Sequence, residues 1–101
     1  MLLREKDKVT LHKIFDTCDY SIEVLAFGSR VNGDAHEGSD LDLVIKCRER
    51  NGIPVDVFND LSDLIRDSLI PILVDFRDWD SLPQTCHTNI MAKYEVFYSN
   101  L

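Results

Sequence analysis

The sequence has little of what several protein classes require. No apolar segment approaches the roughly 20 residues of a membrane-spanning helix. The apolar start before Arg4 is too short for the hydrophobic region of a secretory signal, so we expect a cytoplasmic protein. With 45% hydrophobic and 29% charged residues, the 101-residue chain predicts one small domain over residues 1–101.

Cysteine and positive charge are also scarce. Cys18, Cys47 and Cys86 are odd in number and far apart, which favours buried free thiols over a disulfide framework. Cys86 and His87 have no second pair at metal-ligand spacing, so no zinc site is predicted. Lys and Arg number 11 against 18 Asp and Glu, a net charge of −7, which argues against long nucleic-acid partners. A magnesium ion between carboxylates and phosphates would still allow a nucleotide to bind.

Hydrophobic periodicity predicts an α+β domain, a small sheet with helices packed on it. The predicted order is helix 5–17, strand 21–27, loop 28–38 with room for one helical turn after Ser29, strand 40–47, helix 56–69, strand 72–76 and helix 84–100. We expect Asp56 or Asn59 to cap the helix over 56–69. "RDWDSLPQT" is typical of a turn.

Asp40 and Asp42 are unusual residues for an apolar strand. Side chains two apart in a strand share a face, with Cα atoms roughly 6 to 7 Å apart, so both carboxylates can bind one small cation. Without a cation, their repulsion raises the pKa of one of them. The alternative for a lone Asp-x-Asp is a polar strand face turned to water. Leu41, Leu43 and Ile45 favour a strand within the sheet instead.

Two further features strengthen this interpretation. "ILVDF" places Asp75 in another apolar strand, where it points away from the face of Val74 and Phe76. If the two strands are neighbours, three carboxylates meet and can hold one or two magnesium ions. Gly28-Ser29 ends the preceding strand, where backbone N–H groups can hold a phosphate. The segment "GSRVNGD" fits neither a P-loop nor G-x-G-x-x-G.

The segment "GSRVNGDAHEGSDLDL" is Gly-Ser, ten residues and Asp-x-Asp, and it resembles the signature of the DNA polymerase β-type nucleotidyltransferase superfamily. "FGSR", "SDLDL" and "VDFRDW" are most similar to its minimal nucleotidyltransferases, the MntA-like antitoxins paired with HEPN-domain proteins. The resemblance implies the polymerase β-like fold, with a small mixed sheet.

The resemblance also implies roles for individual positions. Asp40, Asp42 and Asp75 would be the catalytic and metal-binding residues, holding one or two Mg²⁺ ions, and Asp75 could instead act as general base. Nucleotide binding would involve four further residues, which are Gly28, Ser29, Arg30 and Ser39.

The function implied is transfer of a nucleoside monophosphate, AMP from ATP in the leading hypothesis, to a hydroxyl of a partner protein. The resemblance makes that partner a HEPN toxin in a hetero-oligomer, modified on a tyrosine, and the chain its antitoxin. Two alternatives remain. One is an antitoxin that masks the toxin by binding alone, and the other is the catalytic subunit of a split transferase for an aminoglycoside-type molecule.

Other residues have more ordinary interpretations. Arg30 could contact a phosphate or pair with an acid. Gly33 supplies a backbone conformation that other residues resist, and His12 and His36 are expected to be structural and solvated, respectively. Trp79 could cover the nucleotide base or pack against the third strand, and packing is the expected role. The last predicted helix places an apolar stripe on one side, more simply core than a partner surface, formed by Ile90, Tyr94, Phe97, Tyr98 and Leu101.

Overall fold

The computed structural model describes residues 1–33 and 39–101. Its elements are α1 Glu5–Asp16, β1 Ile22–Phe27, α2 Ser29–Asn32, β2 Leu41–Cys47, α3 Val55–Arg66, β3 Val74–Asp78, α4 Gln84–Ala92 and β4 Glu95–Ser99. A short 3-10 helix, Trp79–Ser81, connects β3 to α4. The first helix, the helical turn after Ser29 and the α+β class are confirmed. His36 lies outside the described residues.

The strands form one mixed sheet in the order β3-β2-β1-β4. β1 runs antiparallel to both β2 and β4, whereas β2 and β3 are parallel. A parallel pair cannot be joined by a tight hairpin, and α3 supplies the necessary crossover. This arrangement places the strand that carries Asp42 beside the strand that carries Asp75.

The main core lies between one face of the sheet and the helices α1 and α3. Alternation along the strands sends every second side chain to this face. Phe15 of α1 is fully buried there and packs against the rings of Phe76, Phe97 and Tyr98. The other face has a smaller buried cluster, in which Ile90 of α4 meets two strand residues, Leu25 and Val44.

The helix predicted over 84–100 is wrong in its second half. α4 ends at Ala92, and Glu95–Ser99 forms β4, which pairs with β1. β-Branched and aromatic residues in "EVFYS" favour a strand, and the strand satisfies the backbone groups of β1 that would otherwise be an open edge. Phe97, at an irregularity in this pairing, is buried in the main core, and His12 Nε2 donates to its carbonyl at 2.7 Å. Ile90 and Phe97 therefore lie on opposite faces of the sheet rather than on one stripe.

Two smaller corrections concern α3 and β3. α3 begins at Val55 after Pro54 and has no side-chain cap, so neither Asp56 nor Asn59 caps it. It ends at Arg66 rather than at 69. β3 starts at Val74 and continues to Asp78, so Arg77 and Asp78 extend the strand instead of forming a turn.

The three cysteines are free thiols, but only Cys18 is buried, and Cys47 and Cys86 are partly exposed. Gly33 follows α2 with φ of +85°, a left-handed conformation that favours glycine. No helix within residues 1–33 and 39–101 is long and apolar enough to cross a membrane.

Candidate active site

Asp42 of β2 and Asp75 of β3 lie directly opposite each other in the parallel pair. Their neighbours Leu41, Leu43 and Phe76 pack into the main core, so both carboxylates point to the opposite face, where α4 lies. Both residues are partly buried. The strand register therefore brings together two acids that are far apart in the sequence.

Asp40 lies immediately before β2 and is exposed. Burial, followed by the charges of Asp75 and Asp40, raises the pKa of Asp42 above its ordinary value. The nearby guanidinium of Arg77 opposes this shift only weakly. The charges of Asp75 and Asp40 thus make ionisation of Asp42 less favourable.

Gly28 joins the Gly-Ser turn to the aspartates. Its φ of +79° and ψ of −157° lie in a region that is essentially restricted to glycine. A Cβ at this position would overlap Oδ2 of Asp42. The Gly28 carbonyl accepts from the backbone N–H groups of Val31 and Asn32 at 3.1 and 3.0 Å, which turns the chain sharply after β1. Glycine is therefore required for both the turn and the close approach of the carboxylate.

Ser29 and Arg30 begin α2, but their side chains differ in surroundings. Ser29 is partly exposed, whereas Arg30 is 5% exposed. Arg30 donates from Nε and from one terminal nitrogen to the Ser39 carbonyl at 3.0 and 2.7 Å, and from the other to the Leu2 carbonyl. These contacts fix the chain just before Asp40. The nucleotide-binding roles of Ser29, Arg30 and Ser39 stay predictions.

A cavity of about 470 Å³ lies over the two opposed aspartates. Its lining includes Gly28, Asp42 and Asp75, together with Asn89 of α4 and Lys93, the residue that follows α4. A volume of this size is typical of small-molecule sites, which occupy roughly 300 to 1,000 Å³. Arg30 instead lines a second cavity, of about 550 Å³, together with Arg4 and Asp7.

Sequence reasoning missed several polar residues of this cavity. Arg77 could have been found, because it lies two residues after Asp75 in the same strand and so shares its face. Asn32, Asn89 and Lys93 also line the cavity, but no sequence signal indicated where α2 and α4 would lie relative to β2. Lys93 and Arg77 add positive charge beside the carboxylates.

Arg77 forms an ion pair with Asp75. Its Nε lies 3.0 Å from Asp75 Oδ1, and a terminal nitrogen lies 3.4 Å from Oδ2. Both carboxylate oxygens therefore face the guanidinium. The side chains remain accessible, Arg77 at 55% and Asp75 at 37%.

Trp79 packs on the site face, although the contacts of its ring are with α4 and β2 and not with the third strand as expected. Its ring stacks on His87 of α4 with centroids 3.8 Å apart and planes 2° from parallel. His87 Nε2 donates to the Trp79 carbonyl at 2.6 Å, and Lys46 Nζ of β2 lies 4.5 Å from the centroid of the Trp79 ring. The helix that lines the cavity is thus held against the sheet by stacking and hydrogen bonding.

The carboxylates fit a divalent cation chemically. Within residues 1–33 and 39–101, no three His, Cys, Asp or Glu side chains are grouped closely enough to form a metal site. Even so, Asp40, Asp42 and Asp75 are hard oxygen donors of the kind that Mg²⁺ prefers. Burial, and then the charges of Asp75 and Asp40, raise the pKa of Asp42. A bound cation would offset this unfavourable environment of the carboxylate.

The model of the polymerase beta nucleotidyltransferase family matches residues 9–100. The chain belongs to this family. Its members are nucleotidyltransferases, so the chain is an enzyme of this class. The match covers every strand of the sheet and all the aspartates of the candidate site.

Individual relatives agree with this assignment. A Haemophilus influenzae protein named "Probable protein adenylyltransferase MntA" is 38% identical over 80 residues, which cover 77% of this chain and 65% of that protein. The chain thus spans slightly less than two thirds of that relative.

Solved structures show the same fold. A crystal structure of a toxin-antitoxin with AMP-PNP superposes with a TM-score of 0.70 at 18% identity, covering 97% of this chain and 75% of the other. A mutant of the toxin-antitoxin MntA-HpeT gives a TM-score of 0.69 at 16% identity, with coverage of 97% and 75%. The predicted polymerase β-like fold is confirmed.

Proposed function

We propose that the protein is a magnesium-dependent nucleotidyltransferase that transfers AMP from ATP to a hydroxyl of a partner protein. The observation that carries this proposal is the pair of Asp42 and Asp75, which face a nucleotide-sized cavity beside Gly28 in a chain of this family. The relative named as a protein adenylyltransferase and the similar fold crystallised with AMP-PNP support AMP as the transferred group.

The chain's own residues have distinct roles in the proposed reaction. Asp40, Asp42 and Asp75 would hold Mg²⁺, which would neutralise charge on the triphosphate and on the leaving pyrophosphate. Asp75 could alternatively take the proton from the attacking hydroxyl, since it is partly exposed at the cavity. The acids thus provide cation binding and proton transfer.

The Gly-Ser turn would hold the donor. Close approach of the Gly28 backbone to Asp42 puts the start of α2 beside the carboxylates, and the Ser29 hydroxyl would donate to a phosphate oxygen. Arg30 would act indirectly, because its guanidinium binds the carbonyls of Leu2 and Ser39 and so fixes the chain before Asp40.

The proposed acceptor is a tyrosine of a HEPN-domain toxin, which the modification would neutralise. Support comes from the two relatives whose names contain toxin-antitoxin and from the motif resemblance, which associates such chains with HEPN proteins. The chain would then be the antitoxin of the pair.

Intact mass spectrometry of the partner protein tests the proposal. The partner is incubated with this chain, Mg²⁺ and each nucleoside triphosphate in turn. We expect a mass gain of whole nucleotide units with ATP, and its loss in the Asp42→Asn variant. Asp63→Asn is the matched control, because Asp63 is exposed on α3 and pairs with Arg66 away from the cavity.

Two other results would change the assignment. A stable complex of the two chains with no mass gain under any nucleotide would favour inhibition by binding alone. Undiminished transfer by Asp42→Asn would exclude Asp42 as a catalytic residue.

A further inference from the structure

Arg77 has a position that the proposed reaction does not yet use. It follows Asp75 by two residues in β3, projects from the same face of the sheet and lines the same cavity as Asp42. Its guanidinium approaches both oxygens of the Asp75 carboxylate. A metal-binding role for Asp75 would require at least one of these oxygens.

The guanidinium and a divalent cation would therefore compete for one carboxylate. Asp75 has two oxygens, and bidentate pairing with arginine orients both toward the guanidinium. The guanidinium and a metal ion on the same carboxylate would also repel each other. Binding of the metal at Asp75 consequently favours displacement of Arg77.

Displacement would be inexpensive and would leave the guanidinium in a useful place. More than half of the Arg77 side chain is exposed, so a change of rotamer disturbs little packing. An exposed ion pair contributes little to stability, so breaking it has a small cost. A guanidinium matches the geometry of phosphate oxygens as well as that of a carboxylate.

We propose that Arg77 is an exchangeable counterion, which holds Asp75 in the metal-free site and moves to the phosphates of the donor when a divalent cation occupies the carboxylates. This inference rests on the proposed function and adds a donor-binding residue to it. In the metal-free protein Arg77 compensates the charge of the paired aspartates, and in the loaded site it compensates the charge of the triphosphate.

Replacing Arg77 should have opposite effects on the two ligands. For Arg77→Gln we expect Mn²⁺ to bind the nucleotide-free protein about two- to fivefold more tightly, the range that corresponds to an exposed ion pair. We expect a non-hydrolysable ATP analogue with Mg²⁺ to bind about tenfold more weakly or worse, because a charge-assisted hydrogen bond is lost. Arg77→Lys keeps the charge but not the fork, and should lie between Gln and the wild type for both ligands.

Mn²⁺ binding is measured by electron paramagnetic resonance of the free ion, and binding of the ATP analogue by calorimetry. Arg66→Gln is the control, because it also removes an arginine paired with an aspartate, but on α3. It should change neither affinity. Circular dichroism of each variant checks that the fold is intact.

The outcomes separate this inference from the proposed function. If the wild type binds Mn²⁺ and the Arg77→Gln variant binds it equally well or more weakly, the exchange is overturned. The proposed function is not affected by that result. If the wild type bound neither Mn²⁺ nor the ATP analogue with Mg²⁺, the proposed function would fail together with the exchange. Tighter Mn²⁺ binding combined with weaker analogue binding supports the exchange, even where no acceptor protein is present.

Discussion

Within residues 1–33 and 39–101, α1 and α3 cover one face of the sheet, whereas α4 covers only part of the other. On the first face the buried cluster includes Phe15, Leu43 and Ile45, all with no exposed surface. On the second face the buried cluster consists of Leu25, Val44 and Ile90. The cavity and the two opposed aspartates lie on this same face.

The difference indicates a division of labour within a single sheet. Hydrophobic burial supplies most of the stability of a small domain, and here most of it lies on one face. The other face can therefore carry Asp42 and Asp75, whose repulsion opposes folding, without unfolding the chain. Most residues that stabilise the fold and the residues of the candidate site thus lie on opposite faces of the same sheet.

The largest expected effect is in the free energy of unfolding of two matched core variants. Ile45→Ala on the face covered by α1 and α3 should cost about 4 to 5 kcal/mol. The densely packed residues around it cannot move into the void that the smaller side chain leaves. Ile90→Ala on the open face should cost nearer 2 kcal/mol, since α4 can shift. Urea denaturation measures both, and equal losses would contradict the division between the two faces.

A second comparison uses the two glycines that flank α2. Gly28→Ala should cost about 3 kcal/mol or more, because both the backbone conformation and the overlap with Asp42 are unfavourable. Among the described residues, no atom lies within 4 Å of a Cβ placed on Gly33. Gly33→Ala should therefore cost about 1 kcal/mol, the penalty of the left-handed backbone. Urea denaturation gives both values, and the nucleotide transfer assay should show loss of activity only for Gly28→Ala.

The hydroxyl of Tyr98 gives the covered face a distinctive alkaline pH dependence. Burial, and then the hydrogen bond donated to Asp16 at 2.7 Å, raises the pKa of Tyr98 to about 12. Because the folded pKa is above the unfolded value of 10.0, this stabilisation is complete below pH 10 and is lost as pH rises toward 12. Tyr98→Phe should lower the free energy of unfolding by about 1 kcal/mol at pH 8.

Denaturation of the wild type and Tyr98→Phe at several pH values tests this expectation. The difference between the two proteins should shrink above pH 10. A constant difference up to pH 12 would show that the hydroxyl contributes no linked titration.

The smallest effect on the free energy of unfolding is expected for Asp42, on the face with the cavity. At neutral pH this titrating group destabilises the fold, whereas Tyr98 stabilises it. The folded pKa of Asp42 is raised, so its contribution to stability is present at acid pH and is lost as pH rises through that pKa. Asp42→Asn should therefore be slightly more stable than the wild type at pH 7, and the gain should fade as pH decreases toward 4. A variant that is less stable at pH 7 would show that the carboxylate stabilises the fold.

The local features of the site could be predicted from the sequence, because they depend on short-range rules. Alternation within β2 and the glycine at the end of β1 identify Asp42 and Gly28 without a structure. Asp75 can be identified because a carboxylate is an unfavourable residue in an otherwise apolar strand. These residues do line one cavity.

The features that depend on distant contacts could not be predicted. The end of α4 and the start of β4 are decided by pairing with β1, which overrides the helical spacing of Ile90 and Phe97. The buried environment of Arg30 depends on the carbonyl of Leu2, at the start of the chain. Asn89 and Lys93 reach the cavity only because Trp79 and His87 hold α4 in place.

The parallel register of β2 and β3 has a consequence for changes in chain length. A slip of β3 by a single residue would exchange its two faces, turning Asp75 into the apolar core and Val74 or Phe76 toward Asp42. Insertions and deletions between Arg66 and Val74 are therefore tolerated only if the irregular segment absorbs them completely. The length of the connection after α3 thus determines which residue of β3 faces Asp42, although none of the residues in this connection needs to contact a substrate.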